Sequence, residues 1–360
     1  MHFIPEIHAK NVDATVRECV AIAGQDRWEW RKQWMIQQIQ QNPLLAEFIA
    51  ERYPVELAYV SYVSAGTQLR TKAEQDPAAI RKLAIFAAAI VEVNRRLTPF
   101  GQNQLRGKLV HGLTRDDGLA SLMHELATAV HLMGRGFDVT FHDLENNGGF
   151  DLLATRDQGV EVEVECKLAS SDLGRGVHRR RALDLFNTLK PAITSLMKDF
   201  RGGCCYRLFV PLHLGADVRQ HAAILDALKY TILTGKDVFE GDACTIYRSD
   251  FSLSENPFEN IDEMPDQHSM HAFVKKRLRI ANQHCMFIGS KKSKCIVVSA
   301  ESRRLDNMLD SVFRTLRDAA KKQCTGKRPA ILCTRFYDLG ASELAQLGDV
   351  PLGVLRSSPG

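Results

Sequence analysis

The segment 160–167 reads Val-Glu-Val-Glu-Val-Glu-Cys-Lys, and this unbroken alternation constrains the fold more than any other feature of the chain. Successive side chains of a β-strand point to opposite faces, so a period of two predicts a strand. One face carries Val160, Val162, Val164 and Cys166, and the other carries Glu161, Glu163, Glu165 and Lys167. Because the apolar face must be covered, the strand predicts a layered domain built on a sheet.

A tight turn precedes this strand. The segment 156–160, Arg-Asp-Gln-Gly-Val, predicts a three-residue hairpin loop with Gly159 in the left-handed conformation. Such a loop pairs the first residue of the segment with the last, and counting back along the ladder places Asp151 opposite Glu165. Opposed residues of an antiparallel pair project to the same side, with Cβ atoms about 5 Å apart. We therefore expect these two carboxylates to meet, with Lys167 beside them.

The elements around this hairpin predict an α/β domain. Asp116 or Asp117 can cap a helix that runs to about Met133. A helix over 178–200 should be kinked or split by Pro191. The predicted strands are 137–141, 150–155, 160–167 and 206–210. The order is α-β-β-β-α-β. Later elements, which we expect to extend the same sheet, are a helix at 216–233, a strand at 295–298, a helix at 304–322 and a strand at 330–334.

The length of 360 residues favours two domains. Residues 1–110 read as an all-helical N-terminal domain, with helices over 27–41 and 79–97, the second stopped by Thr98 and Pro99. The α/β domain is expected over 111–340, with a polar insertion around 249–292 that contains a helix near 271–283. Residues 341–360 form a C-terminal tail.

Bulk properties exclude several classes of protein. The chain is 45% hydrophobic and 25% charged, with a formal net charge of +4 that neither requires nor excludes nucleic acid. No apolar run reaches the roughly 18 residues that span a bilayer, and no secretion signal is visible at the N-terminus. We therefore expect a cytoplasmic protein without a membrane partner.

The spacing of the cysteines and the absence of three common motifs argue against several kinds of functional site. Nine cysteines are scattered without a CxxC pair, which favours reduced and mostly buried thiols over a zinc site. The motifs GxxxxGK[ST], GxSxG and HExxH do not occur, which argues against a nucleotide-driven motor, a serine hydrolase and a zinc protease.

The hairpin acids suit a divalent metal. Mg²⁺ is typically held by one or two carboxylates together with water and phosphate oxygens. Asp151 and Glu165 supply such a platform, and the backbone carbonyl of Cys166 can add a ligand. Lys167 could orient an attacking water or stabilise developing charge, or it could form a purely structural ion pair. Glu125, at the edge of the apolar stripe of the preceding helix, could complete the metal shell or be an ordinary helix-edge residue.

The two remaining acids of the strand are not expected to take part in the site. Glu161 and Glu163 are expected to lie on a solvated face of the strand rather than in the site. An acid-x-Lys triplet means little alone, but here it occurs once, at 165–167, after a glutamate-bearing helix and a hairpin partner that opens with Gly149, Phe150 and Asp151.

This combination resembles the PD-(D/E)xK nuclease superfamily, which has the restriction-endonuclease-like fold. The resemblance covers about 114–210 and, more loosely, the elements to about 335; Phe150 stands where the family name has proline. It implies a mixed sheet flanked by helices, with Asp151 and Glu165 as Mg²⁺ ligands, Lys167 serving the hydrolytic water and Glu125 joining the metal site. The helix after the triplet often contacts phosphate, which implies that role for Arg179, Arg180 and Arg181.

The function that the resemblance implies is phosphodiester hydrolysis with Mg²⁺, or Mn²⁺ as a substitute, on DNA in preference to RNA. Endonuclease action in bacterial restriction or phage defence, alone, as a homodimer or with a partner defence protein, is typical of the family. The alternative is a catalytically silent member that binds nucleic acid or acts as a scaffold, although a scaffold has no need to crowd carboxylates together.

Overall fold

The computed structural model describes residues 8–64, 77–146, 149–156, 159–170, 172–196, 202–251, 284–290 and 294–337. The chain forms two compact units: unit 1 comprises Met1–Gln38, Ile49–Leu173 and Met308–Gly360, and unit 2 comprises Ile39–Phe48 and Gly174–Asn307. This division differs from the boundary predicted near residue 110. The N-terminal helices and the strands of the predicted site instead share one hydrophobic core, in which Ile90, Leu126 and Val164 are all buried.

The N-terminal part is helical, as predicted. A short 3₁₀ helix, Ala9–Asn11, is followed by six α-helices: α1 Val12–Ala23, α2 Gln25–Gln41, α3 Leu45–Arg52, α4 Pro54–Ser64, α5 Pro77–Arg96 and α6 Pro99–Thr114. Thr98 and Pro99 do more than end α5. The Thr98 hydroxyl accepts a hydrogen bond from the Gly101 amide and caps α6, whose first residue is Pro99.

The predicted hairpin is confirmed in register. Strands β2 Leu152–Arg156 and β3 Val160–Ser170 are antiparallel, with Arg156 paired to Val160. Gly159 has a φ of 79°, and its amide donates to the Arg156 carbonyl at 3.1 Å. The other two residues of the predicted turn, 157 and 158, lie outside the described residues. The local turn thus sets which side chains of the two strands oppose one another.

Unit 1 contains a four-stranded mixed sheet in the order β1-β2-β3-β9. Strand β1 is Asp138–Phe141, and β9, Ala330–Tyr337, runs parallel to β3. Three helices accompany the sheet: α7 Ala120–Gly134, α8 His142–Asn146 and α11 Met308–Gln323. From α7 onward the order in unit 1 is therefore α7-β1-α8-β2-β3-α11-β9, with the segment 174–307 between β3 and α11.

Unit 2 contains its own five-stranded sheet in the order β5-β6-β4-β8-β7. Its elements are α9 Arg179–Leu196, β4 Gly202–Val210, α10 Val218–Thr234, β5 Val238–Glu240, β6 Thr245–Phe251, β7 Cys285–Ser290 and β8 Lys294–Ser302. The α/β class is confirmed, but the expectation of one continuous sheet is wrong. Alternating helices and strands do not specify which strands pair, and β4 and β8 pair with each other while β9 pairs with β3.

Pro191 does not split α9. The helix is continuous over Arg179–Leu196 with Pro191 inside it. Leu185, Phe186, Leu189 and Ile193 are buried along one side, and burial of this apolar stripe outweighs the missing hydrogen bond. The predicted helix at 271–283, most of the insertion around 249–292 and the tail at 341–360 lie outside the described residues.

The structure also bears on the cysteines and on the apolar character of the helices. All nine cysteines are free, and six of them are buried. In the parts of the chain described above, the helices lack the combination of length and apolar character that crossing a bilayer requires.

Candidate metal centre

The hairpin brings the Asp151 side chain onto strand β3. Leu152 pairs with Val164, so the next step of the same register sets Asp151 against Glu165. The Asp151 carboxylate accepts a hydrogen bond at Oδ2 from the Cys166 amide, with an N–O distance of 2.7 Å. This contact fixes the carboxylate at the centre of the acid-x-Lys triplet. The predicted ligand role of the Cys166 carbonyl stays a prediction.

Glu165 and Lys167 form an ion pair on β3. The Glu165 side chain is fully buried, and its Oε1 lies 2.5 Å from the Lys167 ammonium, whose side chain is 27% exposed. Glu165 Oε2 is buried and makes no hydrogen bond of regular geometry among the described residues, while the nearby Asp151 amide favours the charged form of this carboxyl. The triplet therefore holds one neutralised acid oxygen and one buried oxygen with acceptor capacity to spare.

Helices α7 and α8 bring two further carboxylates to Asp151. Ligand oxygens of Glu125, Asp143 and Asp151 all lie within 4.8 Å of one another. The predicted convergence of Glu125 with Asp151 is therefore present. Glu165 does not belong to this group, which we call the acid cluster. Sequence reasoning had matched Asp151 with Glu165 and had not included Asp143.

A second lysine enters the acid cluster from helix α6. The Lys108 ammonium lies 2.7 Å from Glu125 Oε2 and 2.5 Å from Asp143 Oδ2. The side chains of Glu125 and Asp143 are 8% and 13% exposed, and that of Lys108 is 30% exposed. Asp143 Oδ1 is buried and, in the described part of the chain, has no hydrogen-bond partner. The arrangement parallels the triplet, where Lys167 also neutralises only part of a buried acid.

Contacts at both ends of α8 set its position, and with it that of Asp143. Glu145 on α8 accepts hydrogen bonds from the Thr98 amide at 2.9 Å and the Thr98 hydroxyl at 2.5 Å, which ties α8 to the start of α6. The His142 amide donates to the Asp151 carbonyl at 2.9 Å, and the His142 ring stacks on Phe150. Helix α8 is thereby fixed both to the helix of Lys108 and to the residue that opens the hairpin.

Burial of these acids favours their protonated forms. It raises the pKa of Glu125 to about 7, against the opposing effect of Lys108. Burial likewise raises the pKa of Asp151, opposed chiefly by the Cys166 amide, and the pKa of Glu165, opposed chiefly by Lys167. Burial opposes the charge of Lys108, but the charges of Glu125 and Asp143 outweigh it and raise its pKa. The two lysines therefore offset only part of the cost of burying these acids in their charged forms.

The other glutamates of β3 have separate partners. Glu163 is fully buried; its Oε2 accepts from the Thr325 amide at 2.7 Å, and its Oε1 from the Thr325 hydroxyl. Glu161 forms an ion pair with Arg328 at 2.5 Å. The expectation of a solvated face is wrong for Glu163, because the connection between α11 and β9 covers it. Nothing in the β3 sequence itself indicates that cover.

The predicted phosphate-binding arginines lie in unit 2. Arg179 is 3.7 Å from Glu47, and Arg181 is 3.5 Å from Asp184. Each of these two cations therefore has an acidic neighbour within its own unit. Contact between phosphate and Arg179, Arg180 or Arg181 stays a prediction.

Lys108 and Asp143 are the site residues that sequence reasoning missed. A signal existed for the helix of Lys108, because Thr98 followed by Pro99 is a cap and first-turn pair as well as a stop. No comparable signal marks Asp143, which lies in a helix of only five residues, His142–Asn146, between two strands.

Comparisons of the chain with protein family models, curated proteins and solved structures found no match.

Proposed function

We propose that this chain is a metal-dependent phosphodiesterase that cleaves nucleic acid, with DNA as the favoured substrate. The observation that carries the proposal is the meeting of Glu125, Asp143 and Asp151, with ligand oxygens within 4.8 Å of one another. The Glu165–Lys167 ion pair lies next to Asp151 along the hairpin register. A crowd of buried carboxylates is costly unless a cation compensates it.

The element order of unit 1 supports the resemblance to the PD-(D/E)xK superfamily. With α8 and the helices before α7 set aside, unit 1 reads α7-β1-β2-β3-α11-β9, which is the α-β-β-β-α-β order that the resemblance implies. The last helix and strand are α11 and β9 rather than α9 and β4, since the segment 174–307 intervenes. We therefore assign the nuclease core to unit 1, with the 174–307 part of unit 2 as an insertion.

The donor set fits a hard divalent cation. Carboxylate oxygens are the ligands that Mg²⁺ and Mn²⁺ prefer, and the site has no buried imidazole or thiolate among the clustered groups. Buried acceptor capacity remains at Asp143 Oδ1 and Glu165 Oε2. Asp151, Glu125 and Asp143 would hold the ion, with Glu165 and the Cys166 carbonyl as further candidate ligands. When bound, such an ion lowers the pKa of a water ligand and neutralises charge on the phosphate.

Lys167 has the position and exposure for a role in hydrolysis. Its ammonium contacts Glu165 and its side chain is 27% exposed, so it keeps donor capacity for a water molecule or a phosphate oxygen. This favours the catalytic reading of the triplet over the purely structural one.

The test compares two glutamates that lie two residues apart on one face of β3. Supercoiled plasmid is incubated with Mg²⁺ and the wild-type chain, Glu165→Gln or Glu163→Gln. We expect Glu165→Gln to lower the cleavage rate by about a thousandfold, the scale of losing a group that stabilises transition-state charge. Glu163→Gln should cleave at a rate near wild type per folded molecule, because Glu163 is engaged with Thr325.

The alternative function is a nuclease-fold scaffold that binds nucleic acid without cutting it. Binding of DNA by all three proteins, without cleavage by any of them in Mg²⁺ or Mn²⁺, would establish that alternative. Equal loss of cleavage in Glu163→Gln and Glu165→Gln would also contradict the assignment of the site. A parallel reaction with single-stranded RNA distinguishes the two substrate classes, since the metal chemistry needs only a phosphodiester.

A further inference from the structure

The Lys108 ammonium contacts the acid cluster in the way that a bound metal ion would. It contacts carboxylates from two separate helices, Glu125 of α7 at 2.7 Å and Asp143 of α8 at 2.5 Å. The oxygens it contacts belong to two of the three residues whose carboxylates converge. An ammonium and a divalent ion therefore require the same pair of acids.

The Lys108 ammonium and a divalent metal ion differ in how many carboxylate oxygens they can neutralise. An ammonium carries one charge and three donors, whereas Mg²⁺ or Mn²⁺ carries two charges and accepts several oxygens at once. With Lys108 in place, Asp143 Oδ1 is still a buried acceptor without a hydrogen-bond partner among the described residues. The nearby Glu165, fully buried, also keeps Oε2 without one. The ammonium thus neutralises the cluster incompletely.

We propose that Lys108 is a built-in competitor for the metal, so that a divalent ion must displace its ammonium from Glu125 and Asp143 to occupy the acid cluster. The proposal rests on the proposed function, because it takes the cluster to be a metal site. It assigns Lys108 the regulation of metal occupancy, a role separate from that of Lys167.

The side chain of Lys108 can make that movement. It is 30% exposed, so its four-carbon stem has a path toward solvent that the fully buried Glu165 lacks. Lysine is a flexible point charge, and its withdrawal breaks two ion pairs without disturbing the backbone of α6. A buried arginine with two directed hydrogen bonds would be far harder to displace. Lys108 therefore lowers metal affinity without closing the site.

The test measures binding of Mn²⁺ to the chelator-treated full-length chain by calorimetry. Lys108→Gln removes the charge but keeps an amide that can donate to Glu125 and Asp143, which protects the fold. We expect Lys108→Gln to bind Mn²⁺ about tenfold tighter than wild type, because a positive charge within a few ångströms of the ion is gone. Lys108→Arg keeps the charge and should bind Mn²⁺ no tighter than wild type.

The matched control is Lys82→Gln, since Lys82 is an exposed lysine of α5. It should leave Mn²⁺ affinity unchanged. Thermal unfolding gives a second readout: Lys108→Gln should have the lower melting temperature without metal and the larger increase on adding Mn²⁺.

Three results would overturn the proposal. If wild type binds Mn²⁺ and Lys108→Gln binds it equally or more weakly, Lys108 positions the acids instead of competing, and the proposed function still stands. If Lys108→Gln does not fold, the comparison passes to Lys108→Arg, and tighter Mn²⁺ binding by that charged variant contradicts competition. If wild type binds no Mn²⁺ at all, both this inference and the metal-dependent function fail.

Discussion

Buried glutamates of the two units are neutralised in different ways. In unit 2, Glu301 of β8 accepts from Arg207 at Oε1 and at Oε2, both at 3.0 Å, and from Ser299 at 3.1 Å. In unit 1, Glu165 of β3 has Lys167 at 2.5 Å from Oε1, while Oε2 is without a hydrogen-bond partner among the described residues. A two-point contact with arginine uses both oxygens, whereas lysine leaves one available. Burial beside a cation therefore does not separate structural acids from site acids; residual acceptor capacity close to other acids does.

The same distinction holds within strand β3. Glu163 and Glu165 are both fully buried on one face, yet Thr325 satisfies both oxygens of Glu163. Hydrogen bonds from Thr325 offset the cost of burying the Glu163 carboxylate, whereas the cost of burying Glu165 is offset only in part. We interpret the spare oxygen of Glu165 as a place where a metal ion can bind.

The largest expected effect comes from removing one acid in each unit. Asp151→Asn should lower the rate of DNA cleavage by about a thousandfold, because the central member of the acid cluster loses its charge. Glu301→Gln in unit 2 should leave the rate per folded molecule near wild type. Rates are measured on plasmid with saturating Mg²⁺, with circular dichroism to confirm folding. Comparable losses in both variants would remove the distinction between the two units.

The next effect is on stability and falls on unit 2. Arg207→Met leaves Glu301, whose side chain is 8% exposed, without its cation. We expect a loss of about 2 kcal/mol in the free energy of unfolding, less than for a wholly buried pair because the Arg207 side chain is 29% exposed. Urea unfolding measures it. An unchanged unfolding midpoint would show that this ion pair does not stabilise unit 2.

Glu56 sharpens the comparison because it is a buried acid outside the acid cluster. Its Oε1 accepts from the Leu119 amide at the start of α7 at 2.8 Å, where the sequence predicted a cap from Asp116 or Asp117. Its Oε2 is buried without a hydrogen-bond partner in the described chain. Burial raises the pKa of Glu56 from 4.5 to about 7, so a proton can occupy the spare oxygen. An unpaired oxygen indicates a metal site only where other acids converge on it.

A pH titration of stability tests this reading of Glu56. The folded state binds the proton of Glu56 more tightly than the unfolded state, so the contribution of Glu56 to stability falls as pH rises from about 4.5 to about 7 and is level on either side. Glu56→Gln keeps the acceptor for Leu119 and removes the titration. We expect the variant to gain on the order of 2 kcal/mol relative to wild type across that window. Parallel stability curves for the two proteins would contradict the raised pKa.

The smallest expected effect concerns the arginines at the start of α9. Arg180→Ala should weaken DNA binding about threefold and reduce the salt dependence by about one phosphate contact. Fluorescence anisotropy in the Glu165→Gln background keeps the DNA intact during the measurement. Identical affinities and salt slopes would remove this helix from the predicted interface.

Much of unit 1 near the hairpin could be predicted, because its determinants are local. The two-residue period of β3 and the left-handed Gly159 together set the register that brings Asp151 to β3. The spacing of apolar residues likewise predicted α7 and set Glu125 at the edge of its buried face, while the place of Glu125 beside the hairpin was implied only by the family resemblance. The helical nature of the N-terminal part followed from similar periodicity, although its assignment to a separate domain did not match the division of the chain.

What the sequence alone could not decide depends on segments that are far apart along the chain. Thr325, which satisfies Glu163, lies 162 residues after it, and the two sheets arise because β9 pairs with β3 across the whole of unit 2. Lys108 and Asp143 lie on α6 and α8, two helices that hydrogen bonds between Thr98 and Glu145 hold together. Periodicity reports which face of an element is buried, but not which distant element covers it, and that covering is what separates Glu163 from Glu165.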